Sequence, residues 1–229
     1  MDYQLQFQSV LNSFDLMLRG AMTTTLLAAI TIFSAIILGS LLAILRMGSS
    51  IVVRKAIDAY VEIIRNTPFI VQLFFIVFGL PTIGLQLGLV EAAVLALVIN
   101  LSGYTTEIIR AGLESIPPAQ IEAGYSLGLG RWQVYKNIVL MPALERVYPA
   151  LCSQFILAML GTSIVSQISV EELTGIASLI SARTYRAFET YIVLAGVYIC
   201  LTFAFRLVLY ALGELLFPWR RRIARTAGV

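Results

Sequence analysis

The chain has 229 residues, 59% of them hydrophobic and only 13% charged, and its mean hydropathy is +0.89. A soluble globule carries about 25% charged residues, so the composition marks an integral membrane protein of one domain, residues 1–229, and its helix-length uncharged runs make the membrane core over 20–216 all-α. The absence of His removes imidazole catalysis and the commonest metal ligand, and a net charge of +3 with no basic, aromatic-interleaved stripe points away from a nucleic-acid partner.

The opening residues MDYQLQFQSVLN have no basic segment followed by a short apolar core, and do not read as a cleavable signal peptide. Crossing ~30 Å of hydrocarbon takes about 20 residues of helix. The first such span is expected over 20–45, where Thr23–Thr25 and Gly39-Ser40 suit close helix packing. The second is expected over 60–80 and carries Glu62, Arg65 and Pro68. Pro68 should interrupt it and free carbonyls that need other partners. The third is expected over 89–112 with Asn100 and Glu107, the fourth over 147–168, and the fifth over 190–216 with Arg206. Between the last two, segment 170–188 holds LTGIASLISA, too short to span and preceded by Glu171 and Glu172. It reads as an external, interfacial or re-entrant helix with an acidic N-terminus. Cys152 and Cys200 fall in apolar spans and are expected to be buried packing residues.

The longest polar run, 113–144, lies between the third and fourth spans: LESIPPAQIEAGYSLGLGRWQVYKNIVLMPAL. Pro117 and Pro118 suit a first helical turn. Glu122 falls early in that helix, and Gly124, Gly128 and Gly130 weaken its continuation. The pattern predicts a short helix, a turn around Gly128–Gly130 and a second helix bearing Arg131, Trp132, Tyr135 and Lys136. Such a hairpin is either a handle for a soluble partner or a solvated connection.

Five spans put the termini on opposite sides, and the positive-inside rule sets the orientation. With the N-terminus outside and the C-terminus cytoplasmic, the inner face collects Arg46, Arg54, Lys55, Arg110, Arg131, Lys136, Arg146 and the tail arginines Arg220, Arg221, Arg222 and Arg225. The outer face keeps Arg19, Arg183 and Arg186. The tail reads as an anchor at anionic lipid headgroups. Arg65 and Glu107 are charges inside spans at similar depth, and they either pair, bound the inner end of a pathway, or snorkel to the headgroups. Arg206 is either a substrate counter-ion or a snorkelling lipid-side residue.

The central stretch resembles the cytoplasmic loop motif of ABC importer permeases: Glu-Ala-Ala, three residues, Gly, nine residues, Ile-x-Leu-Pro. Glu122, Ala123, Gly128, Ile138 and Leu140 match in register, whereas Gly124 replaces the second Ala and Met141 stands where Pro is usual, with Pro142 one residue late. The segments IIRNTPFIVQLFFIVFGLP, INLSGYTTEIIRAGLESIP, RWQVYKNIVL and GTSIVSQISVEELTGIA are similar to the polar amino acid uptake branch of that family. The resemblance implies a type I ABC importer permease fold, a multi-pass helical bundle in a bacterial cytoplasmic (inner) membrane. It implies a second permease subunit, the same chain or a sibling, two cytoplasmic ABC ATPase subunits and a soluble amino acid-binding protein. Glu122, Ala123, Gly128 and Arg131 would then couple to the ATPase. ATP and Mg would sit on that partner, because no G-x-x-x-x-G-K-[ST] loop occurs here and the chain itself needs no cofactor and no metal.

An amino acid zwitterion needs donors and acceptors near the midplane, and Asn100, Tyr104, Gln154, Gly161, Thr162 and Ser163 mark that region. Relatives often carry Lys-Asp before the Thr-Ser of the fourth span, where Leu160-Gly161 stands here. This leaves two readings open: a substrate without a cationic side chain, or polar contacts supplied by a different partner subunit. The alternative functions are a self-sufficient secondary transporter or channel, for which no internal repeat is visible, and a membrane enzyme, for which no nucleophile–base pairing can be named.

Overall fold

Small residues recurring every three or four positions make the first long helix the spine of the structure. The computed structural model describes residues 4–218. After a short turn α1 (Gln8–Leu11), helix α2 (Phe14–Gly48) buries Gly20, Thr24, Ala28, Thr31, Ala35, Gly39 and Ala43 on one face. These side chains let neighbouring backbones come close, which drives helix association where lipid already satisfies apolar surface. A Cβ at Gly39 would lie 2.7 Å from Thr105 Cβ, and one at Gly20 would lie 2.9 Å from Leu173 Cα.

Helices α3 (Ile51–Arg65) and α4 (Phe69–Gly79) follow, then α5 (Leu89–Glu114), α6 (Pro118–Ser126) and α7 (Arg131–Ile168). The chain ends with α8 (Leu173–Thr184) and α9 (Ala187–Leu216). Among the described residues, four helices, α2, α5, α7 and α9, are each long and apolar enough to cross a membrane, and the bent pair Ile51–Arg65 and Phe69–Ile83 makes five if it is one span.

The expected second span, 60–80, is present as a bent pair: two helices that together are long and apolar enough to cross, bent by 107° at the break before Phe69, with Arg65 the last residue of the first. The cause is local. Pro68 cannot donate to the carbonyl four residues back, and Asn66-Thr67-Pro68 leaves the helix. The expected second helix of the 113–144 stretch is not separate from the fourth span. They form one rod, α7, with π geometry over Val134–Leu140 and a 3₁₀ end over Thr162–Ile168. The π turn ends just before Pro142, whose missing N–H would otherwise interrupt an α-helical ladder.

Helix α8 packs one face, Leu173, Ile176, Ala177 and Ile180, against Met17, Ala21 and Leu194, and exposes Ser178, Leu179, Ala182 and Arg183 on the other. Cys152 is half-buried, but Cys200 is exposed on α9, which corrects the expectation of burial. The basic tail beyond Pro218 lies outside the described residues.

Candidate functional site

Backbone chemistry shapes the α6–α7 hairpin. Pro118 takes the first helical position, where its missing N–H is no loss. Past the end of α6, Gly128 sits at φ +78°, its N–H donates to Tyr125 O at 2.9 Å, and Leu129 N–H donates to Gly124 O at 3.2 Å. That pair of bonds is a Schellman cap, which favours glycine at the left-handed residue. Gln133 Oε1 then accepts from the Gly130 N–H at 2.9 Å and starts α7.

The two helices close over Gly124, which is buried; a Cβ there would lie 3.3 Å from Val134 Cγ2 and collide with Ile138. Beneath, Ile121, Tyr135 and Leu140 pack on Ala43, Ile109, Leu113, Ile116, Val139 and Ala143. The hairpin therefore rests on the ends of α2 and α5 as well as on α7. Its outer face exposes Glu122, Ala123 and Arg131. Beside them lie Leu127, 80% exposed, Trp132, 70%, and Tyr125, 49%. The sequence places Trp132 on the second helix but does not single out Leu127 and Tyr125, although large side chains in a polar loop are the available signal.

Above the hairpin, a cavity of about 600 Å³ is walled by α2, α3 and α5 and lined with charges. Arg46 Nε meets Asp58 Oδ1 at 2.5 Å and its Nη1 meets Glu114 Oε1 at 3.2 Å. Arg110 holds Glu107 Oε1 at 2.6 Å and also pairs with Glu114. Arg65 Nη1 approaches Glu107 Oε1 at 3.7 Å, so Arg65 and Glu107 are neighbours, with Arg110 the closer partner of the acid. Partly exposed pairs of this kind contribute little individually, about 0–1 kcal/mol. Their consequence is mechanical, since they tie three helices together.

A second cavity, about 370 Å³, is lined by Asn100, Tyr104, Gln154 and Gly161 among mostly apolar residues of the α3–α4 break, α5 and α7. Thr162 and Ser163 do not line it; Thr162 is buried and its hydroxyl donates to Met159 O at 2.7 Å. Gln72, overlooked in the sequence, holds the wall together. Its Nε2 donates to Ile64 O at 2.8 Å, the carbonyl that Pro68 leaves without a donor, and its Oε1 accepts from Asn100 Nδ2 at 2.9 Å. Tyr104 lines both cavities, and the Arg65 guanidinium lies 5.8 Å from its ring centroid.

At the opposite end of the bundle, Glu172 is fully buried. Its carboxylate accepts from Gly175 N–H at 2.7 Å, Tyr198 OH at 3.0 Å and Thr24 Oγ1 at 3.3 Å. Among the described residues, no group of three or more His, Cys, Asp or Glu could hold a metal ion.

Residues 35–222 match the family described as the binding-protein-dependent transport system inner membrane component. The chain belongs to that family. This permease is 33% identical over 234 residues to the nopaline transport system permease protein NocM of Agrobacterium fabrum, covering 97% of both chains. It is 31% identical over 208 residues to the glutamine transport system permease protein GlnP of Escherichia coli K12, covering 90% of this chain and 95% of that one. Among solved structures, it matches a chain of an amino acid ABC transporter with histidines at TM-score 0.85 and 33% identity, over 93% of this chain and 99% of that one. The MetNI methionine ABC transporter matches at TM-score 0.71 and 21% identity, over 90% of this chain and 98% of that one, which shows the shared fold alone. The chain is a permease subunit of an ABC importer, and the Glu122-Ala123…Gly128 spacing is typical of the family.

Proposed function

We propose that this permease takes up amino acids across a bacterial cytoplasmic membrane. A soluble binding protein delivers the substrate from outside, where the N-terminus lies, and two cytoplasmic ATPase subunits supply the energy. Two permease subunits, identical or sibling, enclose the pathway. The observation that carries the reading is the α6–α7 hairpin. It presents Glu122, Ala123 and Arg131 beside exposed Leu127 and Trp132, while its back is packed on the ends of α2 and α5. A partner gripping that face pushes on three helices at once.

The substrate reading rests on the smaller cavity, where Asn100, Tyr104 and Gln154 offer amide and phenol groups and no ionised side chain takes part in the lining. Gly161 leaves room in its wall, and Thr162 and Ser163 support it from the helix behind. Arg65 and Glu107 mark its cytoplasmic exit.

The test is to purify the complex through a tag on this chain and to measure uptake of a panel of amino acids in proteoliposomes. An ATPase subunit is expected to co-purify, and uptake to stop when the phosphate-binding lysine of that ATPase is replaced. Uptake that continues at the wild-type rate with the ATPase disabled overturns the reading.

A further inference from the structure

We propose that the groove between α7 and α9 is a binding site for an anionic phospholipid, with Arg206 holding its phosphodiester. The groove, about 360 Å³, is lined by Tyr148, Cys152, Ser153 and Ile156 of α7 and by Arg206, Tyr210 and Glu214 of α9, among others. Three observations converge on it. First, Arg206 lies within a 30-residue span, is exposed, and forms no ion pair or hydrogen bond with a described residue. An unpaired charge at a span's centre costs roughly 2.5–3.5 kcal/mol on insertion scales, so such residues find a counter-charge or reach the interface.

Second, the depth is right. Arg206 is ten residues before the end of α9 at Leu216, or about 15 Å along the helix. A 30-residue helix overshoots the hydrocarbon; at 1.5 Å per residue the excess is about 7 Å at each end. The guanidinium therefore starts roughly 8 Å inside the apolar boundary, a depth from which a long side chain reaches the phosphates. The leaflet, cytoplasmic, follows from the orientation proposed above.

Third, the groove opens away from the substrate cavity. On α7, Gln154, Leu157, Ala158 and Gly161 share the cavity face at i, i+3, i+4 and i+7. Tyr148, Cys152 and Ile156, at i, i+4 and i+8, form a stripe on the other side of the same helix. The rim of α9 beside Arg206 is apolar and exposed: Phe203, 64%, and Leu207, 69%. Acyl chains lie against this rim while the head reaches Arg206. The Tyr148 hydroxyl already donates to Leu209 O at 2.5 Å, which fixes the groove's floor and leaves the phenolic oxygen as an acceptor only. Glu214, two turns beyond Arg206, has an interaction of its own. Basic pockets between spans on the cytoplasmic side are the recurrent setting for anionic headgroups.

The experiment uses the full complex in nanodiscs that contain phosphatidylcholine with increasing phosphatidylglycerol. Retained lipid is counted by native mass spectrometry after exchange into mild detergent. The wild type is expected to retain phosphatidylglycerol several-fold over phosphatidylcholine. Arg206→Gln should remove the preference, Arg206→Lys should keep part of it, and free glycerol phosphate should not compete. Equal retention by wild type and Arg206→Gln overturns the proposal. So does efficient crosslinking of a Ser153→Cys variant to the second permease subunit, which would show protein rather than lipid in the groove. Neither readout depends on transport, so failure here leaves the importer reading standing.

Discussion

Glu172 shows how one residue can join elements that are far apart in sequence. It is the N-cap of α8, and its carboxylate also takes hydroxyls from α2 and α9, which lie 148 and 26 residues away. The Thr24 hydroxyl oxygen accepts from Leu173 N–H at 3.1 Å, so the cap and its partner both hold α8 in place. Burial pushes the Glu172 carboxyl above the ordinary carboxylate range, partly offset by the backbone N–H groups of Thr174 and Gly175 and by the hydroxyls of Tyr198 and Thr24. The sign follows from linkage: the folded state binds its proton more tightly than the unfolded chain. The contribution to stability is therefore complete below the ordinary carboxylate value and fades as pH rises through the raised folded value. Glu172→Gln keeps an acceptor for the Gly175 N–H, makes the Thr24 and Tyr198 hydroxyls turn to accept from its amide, and should flatten this pH dependence. Glu172→Ala leaves polar groups unpaired, at about 1–3 kcal/mol each, and should lower the melting temperature of the detergent-solubilised permease. Identical melting profiles against pH for wild type and Glu172→Gln would contradict this account. The sequence showed an acid before a short apolar helix; its burial depended on Thr24 and Tyr198, which no local pattern connects to it.

At the scale of elements, backbone chemistry was legible and tertiary rescue was not. Gly128 and Gly130 announced the turn because a left-handed residue and a helix start have their own sequence signatures. Pro68 announced a break, but not the bend of 107°. The run 60–80 is hydrophobic enough to hide two helices in one window, and Gln72 completes the break only once α3 and α4 are placed. The continuity of α7 through Pro142 was equally hidden, since a π turn leaves no periodicity of its own over seven residues. The hairpin gives a prediction at this scale. Gly128→Val places a β-branched residue at φ +78°, a strain of roughly 1–2 kcal/mol confined to the α6 exit. Glu122→Lys reverses an exposed charge. Both variants should insert and elute as the wild type does, yet capture of the ATPase subunit should fall at least tenfold. Wild-type ATPase capture with normal substrate-stimulated hydrolysis in both would remove the hairpin from the coupling path.

Across the whole molecule, the charged cavity and the smaller cavity of the α3–α4 break share one lining residue, Tyr104. Arg65 stacks on its ring and reaches Glu107, Glu107 is held by Arg110, and Arg110 pairs with Glu114 at the end of α5. The next residue, Ser115, accepts Arg146 at its carbonyl oxygen at 2.7 Å. A contiguous chain of contacts thus runs from the base of the hairpin to the ring that separates the cavities. Contiguity alone does not demonstrate coupling; that requires an element whose two states both ends bias. Tyr104 is the candidate for such an element, and the volume of its ring is the property that matters. In proteoliposomes holding the complete complex without ATP, Tyr104→Ala should leak radiolabelled amino acid down its gradient at several times the wild-type rate. Tyr104→Phe keeps the ring and should stay tight. Arg65→Gln removes the stacked cation and should raise the leak less than Tyr104→Ala does. If Tyr104→Ala remains as impermeable and as tightly coupled as the wild type, the partition lies elsewhere, and the contacts from Glu114 to Arg65 serve only to brace α2, α3 and α5.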